Sequence, residues 1–176
     1  MKVLFEEHEI IVNAIDTAHH AGSLIGKDEG AYEKIIRQLI DFFRNYADKY
    51  HHHKEEEILF PEMSKRNELI ADGVIKEMLE NHSDFRDMIK NIERCLDEKD
   101  YPVAQQKLLQ YTEALLDHIA VENDEVFQVA ESIFSEEELD KIYFRFEDCD
   151  RELGISKKEE LRELADTLRK NLLMAE

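Results

Sequence analysis

Two ten-residue stretches far apart in the chain, HHHKEEEILF at 51–60 and HIAVENDEVF at 118–127, place histidines, acids and apolar residues at one common spacing. In that register His51 matches His118, Glu55 matches Glu122, Glu57 matches Asp124 and Phe60 matches Phe127. Residues four apart share a face of an α-helix. His51 and Glu55 extend the line Ile40, Phe43 and Ala47 and lead on to Ile58. His118 and Glu122 extend Leu108, Tyr111 and Leu115 and lead on to Val126 and Val129. Both His–Glu pairs therefore belong to apolar stripes, and a fold that buries those stripes must be helical and must bring the two helices together. His52 and Glu56 instead continue Asn45, Asp48 and Lys49, a polar line, so they are expected to face solvent or to stand behind the inward pair.

The remainder of the chain agrees with a helical fold. Five glycines and two prolines among 176 residues leave few helix breakers, and no stretch alternates with period two long enough to read as a strand. Apolar periodicity predicts helices over about 3–24, 31–61, 73–96 and 102–133, with Pro61 ending or kinking the second because it lacks an N–H. Two further helices are signalled by Ser135 with Glu138 and Ser156 with Glu159, both matching the capping box, and by Gly154 between them. The length suits a single core. The expected fold is all-α: an up-down-up-down four-helix bundle over residues 1–134, with residues 135–176 as a C-terminal helical extension packed on it.

The other two long helices each carry one histidine in an apolar setting. His8 precedes Ile11 and Ile15 at helical spacing, and His82 precedes Phe85 and Ile89. From His8 the first helix runs about 14 residues, about 21 Å, before turning, and the second needs about 20 residues to return to His51. Similar legs bring His82 and His118 to the same level of an up-down bundle. His19 and His20 lie beyond that level, near a glycine-rich turn, and are read as ordinary polar residues.

Four imidazoles and two carboxylates converging in an apolar interior need cations, because buried carboxylates without counter-charge either take up protons or destabilise the site. Four nitrogens and two bridging or bidentate carboxylates give about eight contacts, too many for one tetrahedral zinc but suited to two metals of roughly octahedral preference. One bridging oxygen raises the count to about ten of twelve positions, leaving about two for a small ligand. A mixed nitrogen and oxygen site favours iron, with manganese or zinc as substitutes.

The net charge of −19 excludes phosphate recognition as the organising function, so no nucleic-acid partner is expected. Cys95 and Cys149 are isolated, with no CxxC spacing. The start MKVLFEEHEI becomes acidic at once and no later segment is apolar enough for a bilayer, which predicts a cytoplasmic protein without membrane association.

The residues His8, H51-x-x-x-E55 with the following EEILFP, E80-N-H82 with Arg86, and H118-x-x-x-E122 together resemble the hemerythrin-like HHE cation-binding proteins over roughly residues 1–134. The resemblance implies a pair of iron ions, oxo- or hydroxo-linked, held by His8, His51, His82 and His118 and bridged by Glu55 and Glu122. It also implies a small diatomic or peroxide ligand. Two positions depart from the oxygen-carrying branch of that family. Arg86 stands where that branch has a fifth histidine, and Asn123 stands where it has an aspartate, with Glu122 one residue earlier. One histidine fewer frees a coordination position, which moves the expected role from simple oxygen carriage toward redox or nitric oxide sensing, peroxide reaction or iron buffering.

Two other classes compete. A ferritin- or rubrerythrin-like di-iron oxidase or peroxidase requires inward Glu-x-x-His on two helices, and the nearest match is Asp48-x-x-His51. A metal-free helical interaction module would use the histidines as core polar groups. Metal binding is the primary expectation, and an enzymatic role is left open with no catalytic residue assigned.

Overall fold

The computed structural model describes residues 1–173, and among these there are helices and turns but no strand. Six long helices carry the chain. Helix α1 spans Lys2–Ala21, α2 runs over 29–66, α3 spans Lys76–Asp97, α4 runs over 101–133, α5 spans Glu136–Leu153 and α6 spans Ile155–Leu173. Their starts follow from local chemistry. The Asp28 carboxylate accepts from the Ala31 N–H at 2.9 Å, Asp100 accepts from Val103 at 3.3 Å, and Ser135 and Glu138 form the reciprocal capping box. The second expected box is absent: Ser156 already lies inside α6, whose first turn closes from the Lys158 N–H to the Gly154 carbonyl. Gly154, at φ 102°, supplies the left-handed turn that separates α5 from α6.

Pro61 does not end the second helix. Helix α2 continues to Arg66, because the turn before the proline is a π-turn in which the Phe60 N–H bonds the Glu55 carbonyl, five residues back. Such turns hold one more residue than an α-turn and are frequent at functional sites. Among the described residues they occur at Ala71–Ile75 before α3, and also at Phe43–His52 and Glu55–Leu59 in α2 and Glu122–Val126 in α4, the two stretches that carry the His–Glu pairs.

Helix α3 packs on α4, α1 packs on α4 and α6, and α2 packs on α1, α3 and α6. The buried apolar residues form two clusters. One contains Ile11, Ala47, Tyr50, Phe85, Leu115 and Ile119 and reaches Leu161, Ala165 and Leu168 of α6. The other contains Leu4, Ile58, Met78, Val126 and Phe127 and reaches Ile142 and Phe146 of α5. On each of the first four helices the break between the clusters falls at a polar residue: His8, the 51–55 turn, His82, and Glu122. The polar level is therefore a layer sealed above and below by apolar side chains, including those of α5 and α6. No described helix is long and apolar enough to cross a membrane.

Candidate metal centre

Every residue expected to point inward does so. His8 is 2 % exposed, His118 2 %, and His51, Glu55, His82 and Glu122 0 %. The structure gathers them into two overlapping groups, in each of which one ligand-type atom per residue lies within 4.8 Å of the others. The first group is His8, His51, Glu55 and Glu122. The second is His52, Glu55, His82 and His118.

His52 corrects the sequence expectation. It is 2 % exposed and stacks on His82 with ring centroids 3.9 Å apart. Periodicity of 3.6 assigned it to the polar line of Asp48, but the π-turn over Phe43–His52 widens the inward face so that two consecutive histidines share it. Glu56 resolves the other way. It stays partly exposed and stands behind the site, its Oε1 accepting from His82 Nδ1 at 2.8 Å.

The two buried carboxylates each span both groups. Glu55 Oε1 lies 3.5 Å from His51 Nε2 and Oε2 lies 3.6 Å from His82 Nε2. Glu122 Oε2 lies 3.1 Å from His8 Nε2 and Oε1 lies 3.1 Å from His118 Nε2. His82 Nε2 and His118 Nε2 face each other at 3.1 Å. Both oxygens of Glu55, Oε1 of Glu122 and Nε2 of His51 are buried with no hydrogen-bond partner among the described residues. Unsatisfied buried acceptors are costly, and a converging set of them is the arrangement that a cation satisfies. The donor set fits two metal ions with nitrogen and carboxylate ligands.

Behind the inner shell, polar groups address the Nδ1 atoms. Asn123 Oδ1 lies 2.8 Å from His8 Nδ1, Glu7 Oε2 3.0 Å from His51 Nδ1, Glu56 Oε1 2.8 Å from His82 Nδ1 and Asn81 3.4 Å from His118 Nδ1. Asp48 Oδ1 stands 3.6 Å from His52 Nδ1. At His8, His51 and His82 the partner is an oxygen that accepts from Nδ1–H, which fixes ring orientation and the tautomer that leaves the Nε2 lone pair inward. Asn81 instead faces His118 with its donor Nδ2, and Asp48 stands beyond hydrogen-bond distance of His52. Arg86 bonds Asp48 at 2.7 Å and Glu56 at 2.6 Å, so one guanidinium braces the carboxylates behind both His52 and His82.

Electrostatics match this division. Burial and the neighbouring Glu122 charge push the Glu55 carboxyl well above the usual range. Glu122 goes the other way: burial opposes ionisation, but the His118 charge and hydrogen bonds from His118, His8 and His82 hold it well below. Without metal, Glu55 is thus the carboxyl that keeps its proton. Burial and the neighbouring His8 lower His51 to about 4, and burial and His82 lower His52 well below its usual value, which keeps both rings neutral with a lone pair to offer. Glu7 is held far below the carboxylate range, since the His51 hydrogen bond and the Lys54 charge outweigh its burial.

Glu7 and Lys54 were not singled out by the sequence reading. Lys54 is 0 % exposed and pairs with Glu7 at 2.5 Å. A signal existed, since Glu7 keeps helical spacing with Ile11, Ala14 and Ala18, and Lys54 with Ala47, Tyr50 and Ile58. His19 and His20 lie away from the centre, His19 bonding the Thr112 hydroxyl at 2.9 Å and His20 the Asp16 carbonyl at 2.9 Å.

A helical protein with an enclosed layer of five histidines and two spanning glutamates is, by fold and site, a cation-binding helical protein. The Hemerythrin HHE cation binding domain family matches residues 1–130, and the chain belongs to that family. No curated protein and no solved structure shows significant similarity to the chain.

Proposed function

We propose that the chain is a non-haem di-iron protein that binds or senses oxygen or a related small oxidant. In this reading residues 1–134 form the up-down-up-down four-helix bundle that holds the metal, the extension from 135 is helical as far as 173, with 174–176 outside the described residues, and the protein works in the cytoplasm. The observation that carries it is the pair of spanning carboxylates: Glu55 and Glu122 each direct one oxygen to each of the two groups, with Glu55 unpaired at both ends. One ion would be held by His8, His51, Glu55 and Glu122, the other by His52, His82, His118 and the second oxygens of Glu55 and Glu122.

When bound, the iron pair would supply the electrons that a small oxidant takes up. The residues supply the rest. His52 restores a fifth histidine, from a different place than the oxygen-carrying branch uses, which raises the donor count to about eleven of twelve octahedral positions and leaves about one for an outside ligand. A fifth histidine in the donor set supports oxygen binding as well as oxidant sensing. A cavity of about 260 Å³ lined by Phe43, Asp48, His52, Phe85, Arg86 and Tyr111 offers a small molecule a way toward the His52 side. Ile58, Val126 and Phe127 keep water from the opposite face.

Metal analysis of protein purified from iron-supplemented cells tests the proposal. About two iron ions per chain are expected, with the near-ultraviolet absorption of a bridged ferric pair. One zinc per chain and no iron would refute it.

A further inference from the structure

Residues beyond the family-matched segment reach the metal centre through a closed ring of charges. Glu7 of α1 divides its carboxylate. Oε2 lies 3.0 Å from His51 Nδ1, while Oε1 receives the Lys54 ammonium of α2 and the Lys158 ammonium of α6, each at 2.5 Å. Asp150 of α5 closes the ring, with Oδ1 2.7 Å from Lys54 and Oδ2 2.6 Å from Lys158. Four helices each contribute one charged group, two anions and two cations in all, and among the side-chain hydrogen bonds of the described residues His51 is the one that connects this ring to the inner shell.

We infer that Lys158 is a positioning residue of the metal centre, holding the Glu7 carboxylate in the orientation that fixes His51, so that α6 completes a site whose ligands all lie elsewhere. The inference rests on the proposed di-iron reading. Lys54 cannot do this alone, because it sits one turn from His51 on α2 and moves with it. Lys158 anchors Oε1 from a separate element, and Asp150 holds Lys158 in place from the other side. A cleft of about 700 Å³ between α1, α5 and α6, lined by Tyr46, Glu7, Asp150 and Lys158, leaves Lys158 reachable by solvent, so the contact can loosen without unfolding the core. Coupling of this kind is reciprocal: if the docking of α6 strengthens metal binding, metal binding must strengthen the docking of α6 to the same degree.

The experiment follows iron loss from the full-length, iron-loaded protein into excess phenanthroline, together with hydrogen exchange over 155–173 before and after loading. Removal of a group behind a ligand commonly weakens metal affinity tenfold or more, so Lys158→Met should release iron about tenfold faster than wild type. Lys158→Arg should restore most of the retention. Arg162→Met, on the same helix and paired only with Glu159 among the described ion pairs, should behave as wild type. Loading should raise exchange protection of α6 in wild type and leave it unchanged in Lys158→Met. Equal iron release from wild type and Lys158→Met overturns the inference. So does a wild-type α6 whose protection ignores loading, which decides the matter even if Lys158→Met does not fold. Failure of the wild type to take up iron at all would instead strike the di-iron reading.

Discussion

Two polar clusters lie side by side in this molecule, one enclosed and one open to solvent at Asp150 and Lys158, and they are neutralised differently. In the ring of Glu7, Lys54, Asp150 and Lys158 every carboxylate meets an ammonium within 2.7 Å. In the inner layer Glu55 and Glu122 meet histidines alone, and Glu55 has no hydrogen bond to either oxygen. Only the first cluster has its carboxylates matched by ammonium groups of the protein itself. Burial of carboxylates is tolerated where charge is returned locally, and where it is not, the fold is built around something it does not encode. The histidines of the inner layer form groups that could hold a metal ion, and the ring next to them is internally paired.

The contrast can be broken at its strongest point first. Glu122→Ala removes the carboxylate that spans both groups, and iron content should fall from about two ions per chain to near zero, read by metal analysis with circular dichroism confirming a folded helical protein. Retention of two ions would place the bridging role elsewhere. The ring should respond in stability instead. Lys54→Met leaves Glu7 and Asp150 short of one buried cation and should lower unfolding free energy by about 3–5 kcal/mol, while the double change Glu7→Gln with Lys54→Met should recover part of that loss. Denaturant melts of the two variants check this, and equal melts for Lys54→Met and wild type would show that the pair contributes nothing. The smallest effects belong to the supporting positions. His52→Ala and Glu56→Ala should both keep iron but hold it more weakly, about tenfold in a competition with chelator, His52→Ala through a lost donor and Glu56→Ala through a loosened His82.

The helical class and the convergence of six buried residues at one level are legible because they follow from a period close to 3.6 and from leg lengths along the chain. His8, His51, Glu55, His82, His118 and Glu122 all sit on apolar stripes that such a period exposes. His52 was hidden by the π-turn, which no side-chain pattern announces and which turns two successive residues to one face. Continuation of α2 past Pro61 was hidden for the same reason. The burial of Lys54 depends on partners at positions 7 and 150, on other helices. Pairings of that kind depend on tertiary packing, and a single stretch of sequence carries no trace of them. Asn123 departs from the pattern of the oxygen-carrying branch, yet its side chain bonds His8, a role visible only once α1 and α4 are side by side.

The two clusters also oppose each other in pH. Glu7 is held below its ordinary value, so its contribution to stability is present at neutral pH and disappears in acid as the pH falls through that lowered value. Glu55 is raised, so in the metal-free protein its contribution is present below about 4.5, the ordinary glutamate value, and is lost as the pH climbs through the raised one. Metal reverses the second case, since a bound cation requires the ionised carboxylate. Thermal unfolding of Glu55→Gln beside wild type, at pH 7.5 and with and without iron, therefore tests most directly whether the inner layer lacks cations of its own. The account predicts that Glu55→Gln melts higher than wild type when both are metal-free and lower when both have been offered iron. A metal-free Glu55→Gln protein that melts below metal-free wild type would contradict it.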